Sequence, residues 1–298
     1  LWKLERVYQT HPGFFKVLKE FLKVRKDARI VYVLGNHDYD LIYPKVQEAF
    51  VQFIVGKDEK LGKRILFPGF EFSDGLVHVE HGSQFDKFFS IDPDAFVYYS
   101  KHHFVGEPFL LLPWGYNALF DFYIHLKEKY PIIERLLPRD ELLTALPSRL
   151  RLRLMWGTVW YMLKSFFYLQ FKEWDDVLFR FHPREFYKYF LSFFKKEYTL
   201  VILWRAKNLL RKSKFKVLSV GHNHISGVHT EGNKTILNTG PWRDEYHYVS
   251  NRKAFVPKDK SYGWILHEEK KIKEVRLVTV PTEQKEITKE ALRKILGY

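Results

Sequence analysis

Residues 14–26, FFKVLKEFLKVRK, place apolar side chains at Phe14, Val17, Leu18, Phe21 and Leu22 with lysines between them. That spacing predicts an amphipathic helix. RIVYVL follows as a continuous apolar run and predicts a buried strand, and KVQEAFVQFIV predicts a second helix. GLVHVEHG at 75–82 and FKVLSVGHNH at 215–224 are again apolar runs that end in glycine and histidine. TILNTG, YGWILH and IKEVRLVTV predict short β runs, some separated by the turn sequences EGNK and EEKK. Strands that alternate with helices and then finish in hairpins predict an α/β fold of layered mixed β-sheets flanked by helices.

Residues 87–213 break this pattern, with few convincing strands and many aromatic residues. The expected division is a core of residues 1–86 and 214–280, a helical, aromatic-rich insertion at 87–213, and a C-terminal helix or tail at 281–298. The insertion would act as a cap or face a membrane. Its most apolar part is 146–172, where the uncharged run Leu154–Leu163 is too short for a bilayer, which needs about 20 apolar residues. Arg149, Arg151 and Arg153 flank it on one side and Lys172 on the other. Three readings stay open for this segment: a buried core helix, a helix docked at a membrane interface with its basic residues snorkelling, or a span.

The chain has 298 residues and no cysteine, which excludes disulfides, thiolate metal sites and a cysteine nucleophile. Any metal would be held by His, Asn, Asp or Glu. A net charge of +14 attracts anions, whether nucleic acid, anionic lipid or phosphorylated small molecules. With no visible signal peptide, the expected setting is the cytoplasm or the cytoplasmic membrane face.

The three strand ends supply Asn36 and His37, then His81, then His222 and His224. Imidazole nitrogens and amide oxygens suit Zn, Mn or Fe. On an extended segment the two histidines of GHNH share a face, so one strand end could serve two neighbouring metals. His102 and His103 begin the insertion and could reach the same place. His11, His78, His125, His182, His229, His247 and His267 have no cluster around them in the sequence. Arg243 follows close behind, either as a bidentate clamp on a substrate phosphate or as a surface ion-pair residue.

GNHD, EHG and GHNH, in this order and followed by NTGPW at 238–242, resemble the later motifs of the calcineurin-like metallophosphoesterases. The likeness covers short islands between residues 31 and 242. The family's two earlier motifs, D-x-H and G-D-x-x-D, have no counterpart, and Leu1–Lys26 fits the helix that follows the second. The resemblance therefore implies a chain truncated just after that motif, with little or no hydrolysis of its own. It implies an α/β/β/α sandwich holding two divalent metal ions, with Mn favoured over Zn and Fe. Asn36, His81 and His222 would bind one ion together with an aspartate from the absent motif, and His224 would bind the other. His37 would act on the leaving group as a cation or general acid, oriented by Asp38. Where many relatives read H-G-H, this chain has HGSQFD, so Ser83 replaces the second histidine. Asp86 would support a ligand or stand as a solvated surface acid. One branch, the UDP-2,3-diacylglucosamine hydrolases, holds acyl chains in a helical cap, and a lipid-linked pyrophosphate is the expected substrate. A nuclease, and a non-catalytic phosphate- or membrane-binding module with an incomplete metal site, are the alternatives.

Overall fold

The computed structural model describes residues 1–86, 89–92, 96–99, 104–110, 112, 124–137, 146–171, 198–269 and 271–297. Helices α1 (Trp2–Thr10) and α2 (Pro12–Val24) lead into β1 (Ile30–Val33). Proline at the first turn of α2 starts the helix two residues before the expected point, where its missing N–H costs nothing. Helix α3 (Pro44–Val55) and the short α4 (Glu59–Gly62) then lead to β2 (Ile65–Gly69), which pairs in parallel with β1. Phe15, Leu22, Phe50 and Ile54 close this unit around Leu34. The second apolar row of α2, Phe14, Val17 and Phe21, is exposed, so only half of the apolar positions on this helix face the core.

Strands β3 (Glu71–Ser73) and β4 (Val77–Glu80) form the next antiparallel pair. The stretch expected to be a helical insertion contains strands as well. Aromatic and β-branched residues pair β5 (Phe96–Tyr99) with β6 (Phe104–Leu110). Helix α5 (Ile124–Lys129) precedes the two-residue β7 (Leu136–Leu137). Helix α6 (Ser148–Phe171) lies within the apolar segment 146–172. Its Leu150 is buried with Leu136, Tyr246, Phe255 and Leu292. Beyond that anchor, Met155, Trp156, Trp160, Leu163, Phe167 and Phe171 are exposed. Among the described residues, no helix is long and apolar enough to cross a membrane.

Helix α7 (Tyr198–Lys212) also lies within the expected insertion, yet it packs on the core. Ala206 and Leu210 bury against Leu218, Val220 and Ile236. A parallel strand pair needs a crossover, and α7 delivers the chain to one. Strands β8 (Val217–Val220), β9 (Ser226–Glu231) and β10 (Lys234–Thr239) join β3 and β4 in a sheet of order β3-β4-β8-β10-β9. β4, β8 and β10 run parallel, while β3 and β9 are antiparallel edges.

The chain then makes β11 (Tyr246–Val249), β12 (Ala254–Pro257) and the long hairpin of β13 (Lys260–Glu268) and β14 (Lys271–Val280). Alternation sorts the two sheet faces. Leu218 and Val220 face α7, whereas Val77, Val217 and Leu237 face Ile265, Val275 and Leu277 of the hairpin. The C-terminal segment is integrated into the fold. β15 (Ile287–Thr288) pairs with β12, and Thr288 caps α8 (Lys289–Ile295) through the Ala291 amide at 3.1 Å. The whole is a mixed α/β fold with open sheets.

Candidate metal centre at the strand ends

The parallel register of the five-stranded sheet brings the EHG and GHNH motifs to one edge, and the GNHD turn reaches it from the end of β1 in the separate β1-β2 pair. β4 and β8 are aligned through Val79 and Ser219, so His81 and Gly221 leave the sheet side by side, and the Gly221 amide donates to the His81 carbonyl at 3.0 Å. β10 lies next to β8 and ends at the same edge, with Asn238 opposite Val220. The carboxyl ends of parallel strands are where α/β folds present their chemistry.

Asn36 is buried, and its Oδ1 is the meeting point. His81 Nε2 lies 2.8 Å away and His222 Nδ1 3.2 Å away. Glycine at 35 makes this approach possible, because a Cβ there would stand 3.0 Å from the His81 ring. Gly82 has φ of 94°, a left-handed turn that swings the chain away directly after His81.

Carboxylates set the tautomers of the other two histidines. His222 Nε2–H donates to Asp86 Oδ2 at 2.7 Å. Nδ1 is thereby the ring nitrogen turned toward the Asn36 carbonyl oxygen. His224 Nδ1–H donates to Glu245 Oε1 at 2.5 Å, which leaves Nε2 as its acceptor. His222 and His224 have φ of 66° and 59°. Non-glycine residues held in this region store about 1–3 kcal/mol each and concentrate at functional sites. Neighbours hold the loop. Asn238 Nδ2 donates to Asn223 Oδ1 at 2.7 Å, and Lys258 Nζ donates to the His224 carbonyl at 2.9 Å.

Burial, reinforced by His222, His37 and His224, pushes the His81 pKa down to about 3. Its ring is therefore neutral and able to bind a cation. Burial alone would raise Glu245, but His224 and Arg243 hold its carboxyl below the usual range.

Asp38 lies elsewhere than expected. Its Oδ1 accepts from the Gly35 amide at 2.6 Å and its Oδ2 from the Tyr32 hydroxyl at 2.7 Å. The side chain shapes the GNHD turn and reaches His37 only as a nearby charge. His37 stands at the solvent side of the site. Loss of hydration lowers its pKa against the pull of Glu134 and Asp38. Arg243 is committed within the protein, donating from Nε to Glu245 Oε1 and from Nη1 to Glu134 Oε1, both at 2.8 Å. Lys127 pairs with the other Glu134 oxygen at 2.6 Å.

Thus Asn36, His81 and His222 converge, His224 lies beside Glu245 and Arg243, and His37 flanks the group. His102, His103 and His182 lie outside the described residues. Sequence reasoning missed Glu134 and Glu245. An acid close behind NTGPW was the one available signal for Glu245, whereas Glu134 is 109 positions from its partner Arg243 and has none. His78, which has no cluster in the sequence, lies beside Glu71 and Glu80. No family model, curated protein or solved structure matches the chain.

Proposed function

We propose that this chain carries the metal-binding and leaving-group side of a calcineurin-like metallophosphoesterase, built on that family's α/β/β/α sandwich. The convergence of Asn36 Oδ1, His81 Nε2 and His222 Nδ1 carries the reading. These separations, 2.8 and 3.2 Å, are close to the spacing of donor atoms round one transition-metal ion, so small shifts of the rings would admit such a cation. Two divalent cations, manganese by preference, would neutralise phosphoryl charge and make water acidic enough to supply a nucleophile near neutral pH.

The chain's own residues would do the rest. Asp86 and Glu245 fix the rings of His222 and His224 so that a lone pair faces inward. His37 would meet the leaving-group oxygen. Its lowered pKa favours the neutral ring, so it would serve as a hydrogen-bond donor rather than as a standing cation. Arg243 would set Glu245 and Glu134 in place rather than grip a phosphate.

The exposed aromatic stripe of α6, with Arg149, Arg151 and Arg153 at its start, favours a substrate presented at an anionic lipid surface. A lipid-linked pyrophosphate of the UDP-2,3-diacylglucosamine type has the matching chemistry. The test uses the full-length product of the coding sequence, assayed with manganese on a generic phosphodiester and on UDP-2,3-diacylglucosamine. His37→Ala is expected to keep its metal and lose about 10²–10⁴ in rate. Asn36→Ala is expected to lose metal as well. Bound metal without turnover of either substrate would favour a phosphate- or membrane-binding module, and absence of bound metal would overturn the centre itself.

A further inference from the structure

A second cluster of metal-binding groups lies on the face of the main sheet that packs against α7. Antiparallel pairing sets Glu71 opposite Glu80 and Ser73 opposite His78. Directly opposed residues, and residues two apart on one strand, share a face. Glu71, His78 and Glu80 therefore project to the same side. Val77 and Val79 face the hairpin, which puts these three on the other surface, and His78 stacks on Phe215 at 4.6 Å.

We propose that Glu71, His78 and Glu80 form a site for one divalent transition-metal cation, zinc by preference. His78 Nε2 lies 3.8 Å from Glu71 Oε2 and 3.9 Å from Glu80 Oε2, and one ligand atom from each residue falls within 4.8 Å of the other two. His78 and Glu80 are only 5% and 6% exposed. Among the described residues, neither ring nitrogen of His78 nor Oε1 of Glu80 has a hydrogen-bond partner. Native folds pair nearly all of their buried polar atoms with protein groups, water or an ion, so three unpaired atoms in one place point to a ligand.

Two carboxylates opposed across a strand pair also repel each other, and a cation between them reverses that term. One imidazole nitrogen and two carboxylate oxygens match the donor chemistry of zinc, with water in the remaining position. Zinc with bonds of about 2.0–2.1 Å sets its donors about 3.4 Å apart, which would draw His78 and each carboxylate, now 3.8 and 3.9 Å apart, together by about half an ångström. Glu71 is solvent-exposed on the edge strand and free to make that movement. The site uses none of the residues at the strand ends and stands independently of their role.

The test titrates the metal-free full chain with zinc chloride against a chromophoric chelator, in an Asn36→Ala background that weakens the strand-end centre. Glu71→Gln and His78→Asn are compared with that parent. Because Glu71 is exposed, its variant retains the fold even if the substitution at His78 does not. The expected result is one fewer zinc bound by Glu71→Gln, with affinity at this site weakened at least 100-fold. Zinc-edge anomalous scattering from soaked crystals is expected to show a peak among the three side chains. Equal zinc stoichiometry in Glu71→Gln and its parent, or no peak at this place, would overturn the proposal.

Discussion

Asp86 Oδ2 lies 2.7 Å from His222 Nε2, and the carboxylate is sealed from solvent. This one bond decides which nitrogen of His222 is presented to Asn36. Carboxylates that orient a ligating imidazole contribute about 10–100-fold to metal affinity. Asp86→Ala is therefore expected to weaken manganese binding by that factor. Competition with a fluorescent chelator checks it, and unchanged affinity would remove Asp86 from the centre.

Gly35 lies against His81 with no room for a side chain. A Cβ at 3.0 Å from the ring must displace His81 or the strand end. Gly35→Ala is expected to destabilise the fold by about 1–3 kcal/mol, the range for overpacking, and to weaken metal binding in parallel. Urea denaturation and the chelator competition measure the two effects. A variant as stable as its parent would show that the ring moves freely.

His247 gives the fold a pH dependence of defined sign. It is half-buried on β11 with Nε2 unpartnered among the described residues, and burial together with Lys258 lowers its pKa. Above pH 6.5 the ring is neutral in folded and unfolded chains alike. Below that value the unfolded chain takes up a proton that the folded chain refuses. Stability therefore falls with falling pH by up to about 1.4 kcal/mol per unit until the folded-state pKa is reached. His247→Phe is expected to flatten the slope of unfolding free energy between pH 6.5 and 5.

Trp156 and Trp160 are 71% and 68% exposed on α6. Replacing both with serine is expected to leave the melting temperature unchanged and to lower partitioning onto phosphatidylglycerol vesicles at least tenfold. Each buried aromatic contributes about 1.5–3 kcal/mol at such a surface, and each nearby basic residue about 1 kcal/mol. Vesicle co-sedimentation measures the change, with phosphatidylcholine as the neutral control. Equal binding by parent and variant would assign the stripe to a protein contact.

The alternation of strands and helices was readable because buried strands are continuous apolar runs. Asn36, His81 and His222 were readable as candidates because each stands beside a glycine at such a run's end, with His224 two positions on, and the parallel register of β4 and β8 sets His81 beside the GHNH loop. Glu134 and Glu245 were not readable as a pair, since Arg243 joins them through space. The setting of His78 was hidden for a similar reason. Its partners sit on its own strand and across a hairpin, and only the register shows that all three share a face. Asp38 misled because adjacency to His37 suggested contact, whereas its carboxylate folds back on Gly35 and Tyr32.

The left-handed backbone at His222 and His224 places strain at two of the candidate ligands. Glycine would adopt that geometry without steric strain. It would also take from the buried Asp86 and Glu245 carboxylates their imidazole hydrogen bonds, a cost of about 1–3 kcal/mol each that matches or exceeds the strain relieved. The strained loop and the two sealed carboxylates therefore hold each other in place, and neither relaxes alone without loss to the fold.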